Sequence, residues 1–343
     1  MELNDSIGNP VPRSSYIIRA TELESYLRCP RQWFILSHNG LNLERVVFSP
    51  QMRFGTIWHK GLEYYYNSDE VDSSSRVSRG LLGIAEGVAK SKEDLYKELG
   101  DGIYTEEFQN TLQKSEQLLN TLMQLYPSWA NSQAHPRDSI LNPISSEQRF
   151  LVPILTPKGN KSRAYLAARL DALVMDNLEQ IWVMEHKTRG ASSKVDDPQG
   201  TVLDLQMGLQ LLAVRRYLKA TGVPQPVRGV IYNLTRRQMP GPRVRNPIFG
   251  RHQVVRSPES LRILERTLYY TYRNMRRSEQ IGLANLRYSP QVWAGGYCTW
   301  GCPAYSVCEA LTRGDDVDHL LTTEFKPRRR TIWEMLEEEM DQS

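Results

Sequence analysis

Apolar side chains recur at three- and four-residue intervals through roughly the first third of the chain, the spacing of one helical face. Thr21-Glu22-Leu23-Glu24 has the spacing of a capping box and predicts a helix over about 21–37. Phe54, Trp58, Leu62 and Tyr65 share one stripe of a helix over 54–66. Helical periodicity continues over about 79–98 and 104–126, where Leu112, Leu119, Leu122 and Leu125 recur. Near position 147 the pattern changes to strand-like runs, at 149–154, 165–175, 181–187 and 227–234. A helical stretch over about 202–219 separates the last two, and Ser257-Pro258, a cap followed by proline, starts a helix reaching about 279. Strands with flanking helices predict a mixed α/β domain.

The divisions expected are a mobile leader over 1–15, a helical region over 16–146, an α/β core with its following helix over 147–290, and a cysteine-bearing segment with a charged tail over 291–343. With 343 residues, 40% of them hydrophobic, the chain can bury a sizeable core. No apolar run approaches the roughly 20 residues of a membrane span, and the N-terminus lacks the apolar core of a secretory signal, so a cytoplasmic protein is expected.

The net charge of +4 is too small to imply a polyanionic partner, but its distribution is uneven. Six arginines fall between Arg236 and Arg256 with no acidic residue among them. Lys326-Pro327-Arg328-Arg329-Arg330 forms a second basic cluster, ahead of an acidic tail. Such segments either neutralise phosphates or are solvated loops, and composition does not choose between them.

The densest chemistry lies between 168 and 187. Two strand-like runs flank a short polar turn, which predicts an antiparallel hairpin. With the turn centred on Leu178, paired residues have numbers summing to 356, so Asp171 faces Glu185 with Cα atoms about 4.5–5.5 Å apart. Two carboxylates so close repel unless a cation lies between them. Lys187 shares their face, because side chains alternate along a strand. An Mg²⁺ or Mn²⁺ ion held by Asp171 and Glu185 beside an ammonium group suits phosphodiester hydrolysis. An exposed acidic face with Lys187 as a simple ion-pair partner fits the same three residues.

The order of these residues resembles the RecB-like branch of the PD-(D/E)xK nucleases, which includes CRISPR-associated and phage exonucleases. That branch carries GxxD, then ExK, then QxxxY on the next helix. The corresponding residues are Ala168-Arg169-Leu170-Asp171, Glu185-His186-Lys187 and Gln206-Met207-Gly208-Leu209-Gln210, with Ala168 in place of Gly and Gln210 in place of Tyr. An upstream G-x-x-x-H is matched by Gly55-Thr56-Ile57-Trp58-His59. The resemblance implies a restriction-endonuclease-like core, a mixed sheet flanked by helices, acting on DNA, more as an exonuclease on single-stranded or frayed ends. It implies catalytic roles for Asp171, Glu185, Lys187, Gln206 and His59. His59, Asp171, Glu185 and His186 are then the candidate metal ligands, and Arg236, Arg237, Arg243 and Arg245 the candidate DNA contacts. Without the resemblance, His59 reads as a packed histidine and Gln206 as an ordinary helix residue.

The four cysteines are Cys29 and the C-terminal run Cys298, Cys302 and Cys308. A reducing compartment disfavours disulfides. Four thiolates suit a 4Fe–4S cluster or zinc. One distant ligand with three clustered ones is the arrangement of iron–sulfur members of the resembled branch, which implies a structural cluster tying the N-terminal helix to a C-terminal iron–sulfur segment. Trp293, Tyr297 and Trp300 nearby could stack on bases or pack in the core. Two other readings stay open: a non-catalytic, cluster-stabilised DNA-binding protein, and an end-trimming subunit that works with a helicase, integrase or recombinase partner.

Overall fold

A computed structural model describes residues 3–45, 50–67, 72–99, 106–197, 201, 203–242, 244, 246–287, 296–328 and 330–341. Strand β1 (Tyr16–Arg19) leads into helix α1 (Ala20–Arg28), then α2 (Pro30–Leu36) and β2 (Leu43–Arg45). The helix expected over 21–37 is therefore broken. Pro30 forces Cys29 out of helical conformation, to φ −157° and ψ 111°, and thereby turns the thiol out of the helix line. Helices α3 (Pro50–Tyr66), α4 (Ser73–Leu99) and α5 (Glu106–Ser132) follow the predicted periodicity. A Cβ on Gly83 would lie 2.5 Å from the Lys60 carbonyl, so glycine permits the close approach of α3 and α4.

The strands form three sheets. β3 (Leu141–Ser146), β6 (Ala172–Asp176), β7 (Ile181–Arg189), β8 (Val227–Arg236) and β9 (Phe249–Val254) lie side by side in that order. Only the β7–β8 pairing is parallel in this sheet, and helix α6 (Leu205–Thr221) makes the crossover between them. β1 joins β5 (Lys161–Arg169) and β4 (Arg149–Leu155) in a three-stranded sheet. The single strand expected over 165–175 is thus two strands in two sheets, with Leu170-Asp171 at the corner. The hairpin register pairs Ala172 with Met184 and Met175 with Ile181, the sum of 356 expected. Its ladder ends one pair short of Asp171 and Glu185.

Alternation sends the two faces of β7 to different cores. Ile181 and Val183 join a core with α6 and the following helix α7 (Pro258–Ile281), while Trp182 and Met184 join a core with α3, α4 and α5. Gly208 on α6 has no room for a Cβ, which would meet Leu264 and lie 2.6 Å from the Arg256 guanidinium. That contact brings α7 and its lead-in against the start of α6.

Beyond α7 come α8 (Tyr297–Trp300), α9 (Tyr305–Arg313), α10 (Asp318–Thr323), β10 (Phe325–Pro327) and α11 (Ile332–Asp341). β10 pairs with β2. Residues 3–15 do not form a free arm: Leu3 and Val11 are buried with Ile332 and Leu336 of α11, and Ser6 exchanges hydrogen bonds with Leu151 of β4. The basic cluster near 326–330 is paired, with Lys326 and Arg328 on Glu44 and Arg330 on Glu338. Among the described residues no helix is long and apolar enough to cross a membrane.

Candidate active site

The corner at Leu170-Asp171 opens into a cleft of about 1070 Å³ between α3, α4 and the sheet, lined by His59, Glu147, Asp171, Glu185 and Gln206 among others. His59 Nδ1 lies 3.3 Å from Asp171 Oδ1. The backbone N–H of His186 donates to Asp171 Oδ2 at 2.6 Å. Glu147, in the turn between β3 and β4, adopts φ +51° and donates its own N–H to the Asp171 carbonyl at 2.9 Å. Ligand atoms of His59, Glu147 and Asp171 all lie within 4.8 Å of one another. One imidazole and two carboxylates around a shared point are a donor set that fits a divalent cation such as Mg²⁺ or Mn²⁺.

Glu185 faces the same corner from β7 and is buried. Gln206 and Gln210, one turn apart on α6, donate to its two oxygens, each at 3.3 Å. Gln210 also donates to the Arg169 carbonyl at 2.8 Å, so its amide ties α6 to the end of β5. Lys187 extends along the same face, with Nζ 3.9 Å from Glu185 Oε1 and 2.8 Å from Asp204 Oδ2. Asp204 is the N-cap of α6, its other oxygen accepting the Met207 N–H. One short side chain thus fixes both the helix start and the lysine.

Burial alone would raise the Asp171 carboxyl, but His59 and the His186 amide outweigh it and hold it down at about 2. Burial likewise opposes a charge on His59, yet the Asp171 carboxylate lifts it to about 9. Glu185 moves the other way: burial and the negative Asp171 push its carboxyl well up. An acid of raised pKa beside one of lowered pKa is what two close, buried carboxyls produce when a histidine favours one of them.

The structure brings His59, Asp171, Glu185, Lys187 and Gln206 together, and it turns the His186 imidazole away. His186 has the parity of Trp182 and Met184, so its ring enters the helical core, stacked on Tyr66 at 5.3 Å. Its Nδ1 lies 3.2 Å from Asn233 Nδ2, and burial lowers it to about 3. It serves the corner through its backbone N–H, and its ring, expected among the metal ligands, lies in the helical core instead. Asn233 is held in turn by Arg251, which forms a fully buried 2.8 Å ion pair with Asp138.

The basic segment is not simply a loop, phosphate-facing or solvated, as the sequence alone suggested. It contains β9, Arg251 is internal, and Arg236 is buried and donates to the Asn246 carbonyl at 2.6 Å. Burial takes Arg236 out of reach of a nucleic-acid backbone. Arg237 lies over the Phe54 ring, and Arg243 and Arg245 are outside the described residues. Glu147 and Asp204 were not anticipated. Asp204 carries a readable signal as a cap two residues before Gln206, whereas Glu147 reaches the corner only through the meeting of two sheets.

All four thiols line one cavity of about 370 Å³, together with Arg31 and Gln32. Cys29 projects from the α1–α2 break, Cys298 lies on α8, Cys302 follows it and Cys308 lies on α9. Arg31 donates to Cys308 Sγ at 3.2 Å and to the Leu286 carbonyl at 3.0 Å. Burial pushes the Cys302 thiol up to about 11, and the neighbouring sulfurs add to the rise. Four convergent thiols are a donor set that suits a soft cationic centre. Of the aromatics beside the cysteines, Tyr297 holds Arg28 at 3.1 Å, while Trp293 and the Trp300 side chain lie outside the described residues.

Residues 19–309 match the family model of the PD-(D/E)XK nuclease superfamily. That span takes in the corner, the hairpin, α6 and all four cysteines, and the chain belongs to this superfamily of metal-dependent nucleases. No curated protein matches the chain.

Proposed function

We propose that the protein is a metal-dependent deoxyribonuclease of the RecB-like branch, acting as an exonuclease on single-stranded or frayed DNA ends, with a 4Fe–4S cluster in the thiol cavity. The observation that carries the reading is the convergence of His59, Glu147, Asp171 and Glu185 at one corner, with Lys187 on the same strand face. Asp171, Glu185 and His59 would hold the metal, with Glu147 as a further carboxylate within reach. A bound Mg²⁺ or Mn²⁺ supplies Lewis acidity toward a phosphate oxygen and acidifies a water. Lys187 sets an ammonium where it orients the attacking water and offsets charge developing on the phosphate. Gln206 and Gln210 keep Glu185 aimed at the corner, and Asp204 keeps Lys187 extended.

The cluster reading is supported by the one-plus-three thiol arrangement around a single cavity. Closing a loop of that length holds α1 and α2 against the C-terminal segment, which makes the role structural. A cytoplasmic setting belongs to the same reading, because a reducing compartment keeps thiols available as ligands. The end preference, the branch and an association with a helicase, integrase or recombinase rest on the resemblance of the motifs.

The test is anaerobic purification with iron and zinc analysis and a visible spectrum. Assays on end-labelled and circular DNA with Mn²⁺ then compare wild type with Asp171→Ala and Lys187→Ala. Degradation of linear DNA that both substitutions abolish, by iron-loaded protein, is expected. Cleavage surviving both substitutions removes the site, cutting of circles removes the exonuclease assignment, and zinc in place of iron removes the cluster.

A further inference from the structure

Arg236 and Arg251 are turned inward, but helix α7 presents a basic row to solvent. Arg262, Arg266, Tyr270, Arg273 and Arg277 are all exposed there. Their spacing of four, four, three and four residues sets them in one row along the helix. At 1.5 Å per residue the row is about 22 Å long, and arginines four apart are about 6 Å apart. The opposite face buries Leu261, Leu264, Leu268 and Met275, so the row is held toward solvent.

The acidic residues of α7 do little to cancel this row. Glu265 is engaged by Arg216, Glu279 by Arg276 at 3.0 Å, and Glu259 pairs only with Arg262 at 2.6 Å. Among the described residues, Arg266, Arg273 and Arg277 have no carboxylate within ion-pair distance, and Arg273 contacts only the Tyr269 hydroxyl at 3.3 Å. Tyr270 stands in the middle of the row, its ring edge-on to Tyr269 at 5.6 Å and the residue 56% exposed to solvent.

The segment that leads into α7 is tied to a residue of the candidate active site. Ser257 caps α7, and the preceding Arg256 donates to the backbone carbonyl of Asp204, the residue that holds Lys187. The row ends near the thiol cavity, because α7 stops at Ile281 and the Leu286 carbonyl already accepts from Arg31.

We propose that this row is a track for one nucleic-acid strand, with the arginines on successive phosphates and Tyr270 stacked on an unpaired base. The sign of the charge calls for a polyanion, and an exposed ring within the row favours an unpaired strand, whose bases are free to stack. The track deepens the nuclease reading by naming the surface that leads a strand to the corner, and it relies on that reading only for its direction.

The test is equilibrium binding of a fluorescent oligothymidylate by the full-length protein in EDTA, over a range of salt concentrations. Each phosphate contact on a single strand contributes about 0.7 to the slope of log affinity against log salt. Combining Arg266→Gln, Arg273→Gln and Arg277→Gln should flatten that slope by about 2, while the matching lysine substitutions retain it. Arg266→Gln alone should remove about 0.7, so one mild change is informative if the triple variant folds poorly. Tyr270→Ala should weaken binding at least about fivefold with the slope unchanged. A folded triple variant with the wild-type slope overturns the track, including the case in which the row serves an acidic protein instead. Protein that binds through this slope yet cleaves nothing with Mn²⁺ removes the nuclease reading and leaves the track standing. Cleavage with an unaltered slope does the reverse.

Discussion

The His186 backbone N–H donates to Asp171 Oδ2 at 2.6 Å, so the strand bearing Glu185 also anchors the carboxylate at the corner. The His186 ring makes that anchor rigid, stacked on Tyr66 and bonded to Asn233 on the far side of the sheet. His186→Ala should destabilise the fold by about 2–4 kcal/mol, through a cavity and an unsatisfied amide. Mn²⁺ binding should weaken by more than about tenfold in His59→Ala and by less in His186→Ala. Calorimetric titration of both variants checks the ranking, and equal losses would return His186 to the ligand set.

Gln210 occupies the position where the resembled branch has tyrosine, and its amide bonds both Glu185 and the Arg169 carbonyl. Gln210→Leu keeps most of the volume and orphans two buried acceptors. Stability should fall by about 2–4 kcal/mol, and cleavage should fall along with it as Glu185 loses its aim. Denaturant melts and Mn²⁺-dependent turnover measure the two effects. Unchanged stability would show that Gln210 holds nothing.

Arg251 and Asp138 form the polar centre beneath the corner, with Tyr66, Tyr126 and Asn233 around them. Arg251→Met leaves a buried carboxylate without its cation and should cost about 3–5 kcal/mol. Adding Asp138→Leu should recover part of that loss, since the orphaned charge is then gone. A double variant no better than Arg251→Met would mean that the cost lies in packing and not in charge.

His38 is held down at about 4, against 6.5 for the free group, by burial and by the nearby Arg328 and Arg19 charges. Between those values the unfolded chain takes up a proton that the folded protein refuses, so the His38 contribution to stability declines as pH falls from about 6.5 toward 4. His38→Gln lacks this titration. The melting temperature of wild type should therefore drop more than that of His38→Gln between neutral and mildly acid pH. Parallel drops would show that His38 ionises freely in the folded state.

Much of the scaffold was legible in one dimension. The stripe of Phe54, Trp58, Leu62 and Tyr65 gave α3, Ser257-Pro258 gave the start of α7, and the turn at Leu178 gave the β6–β7 register. Strand alternation and hairpin pairing, which are local rules, placed Asp171, Glu185 and Lys187 on one face, and the motif resemblance supplied their expected roles. Charge was read less well: the run from Arg236 to Arg256 looks like a solvent-facing loop, yet Arg251 is the cation of a buried pair with a residue 113 positions earlier.

By itself, then, the sequence determined most of the helices, the hairpin and part of the set of groups capable of chemistry, since these follow from short-range periodicity and side-chain type. Tertiary structure alone decided that Glu147 joins His59 and Asp171, that the His186 ring leaves the site, that Cys29 meets three thiols from the other end of the chain, and that α7 presents a row of exposed arginines. Each of those outcomes depends on how separate sheets and helices pack, and packing is fixed by contacts between positions too distant in the chain for any local pattern to record.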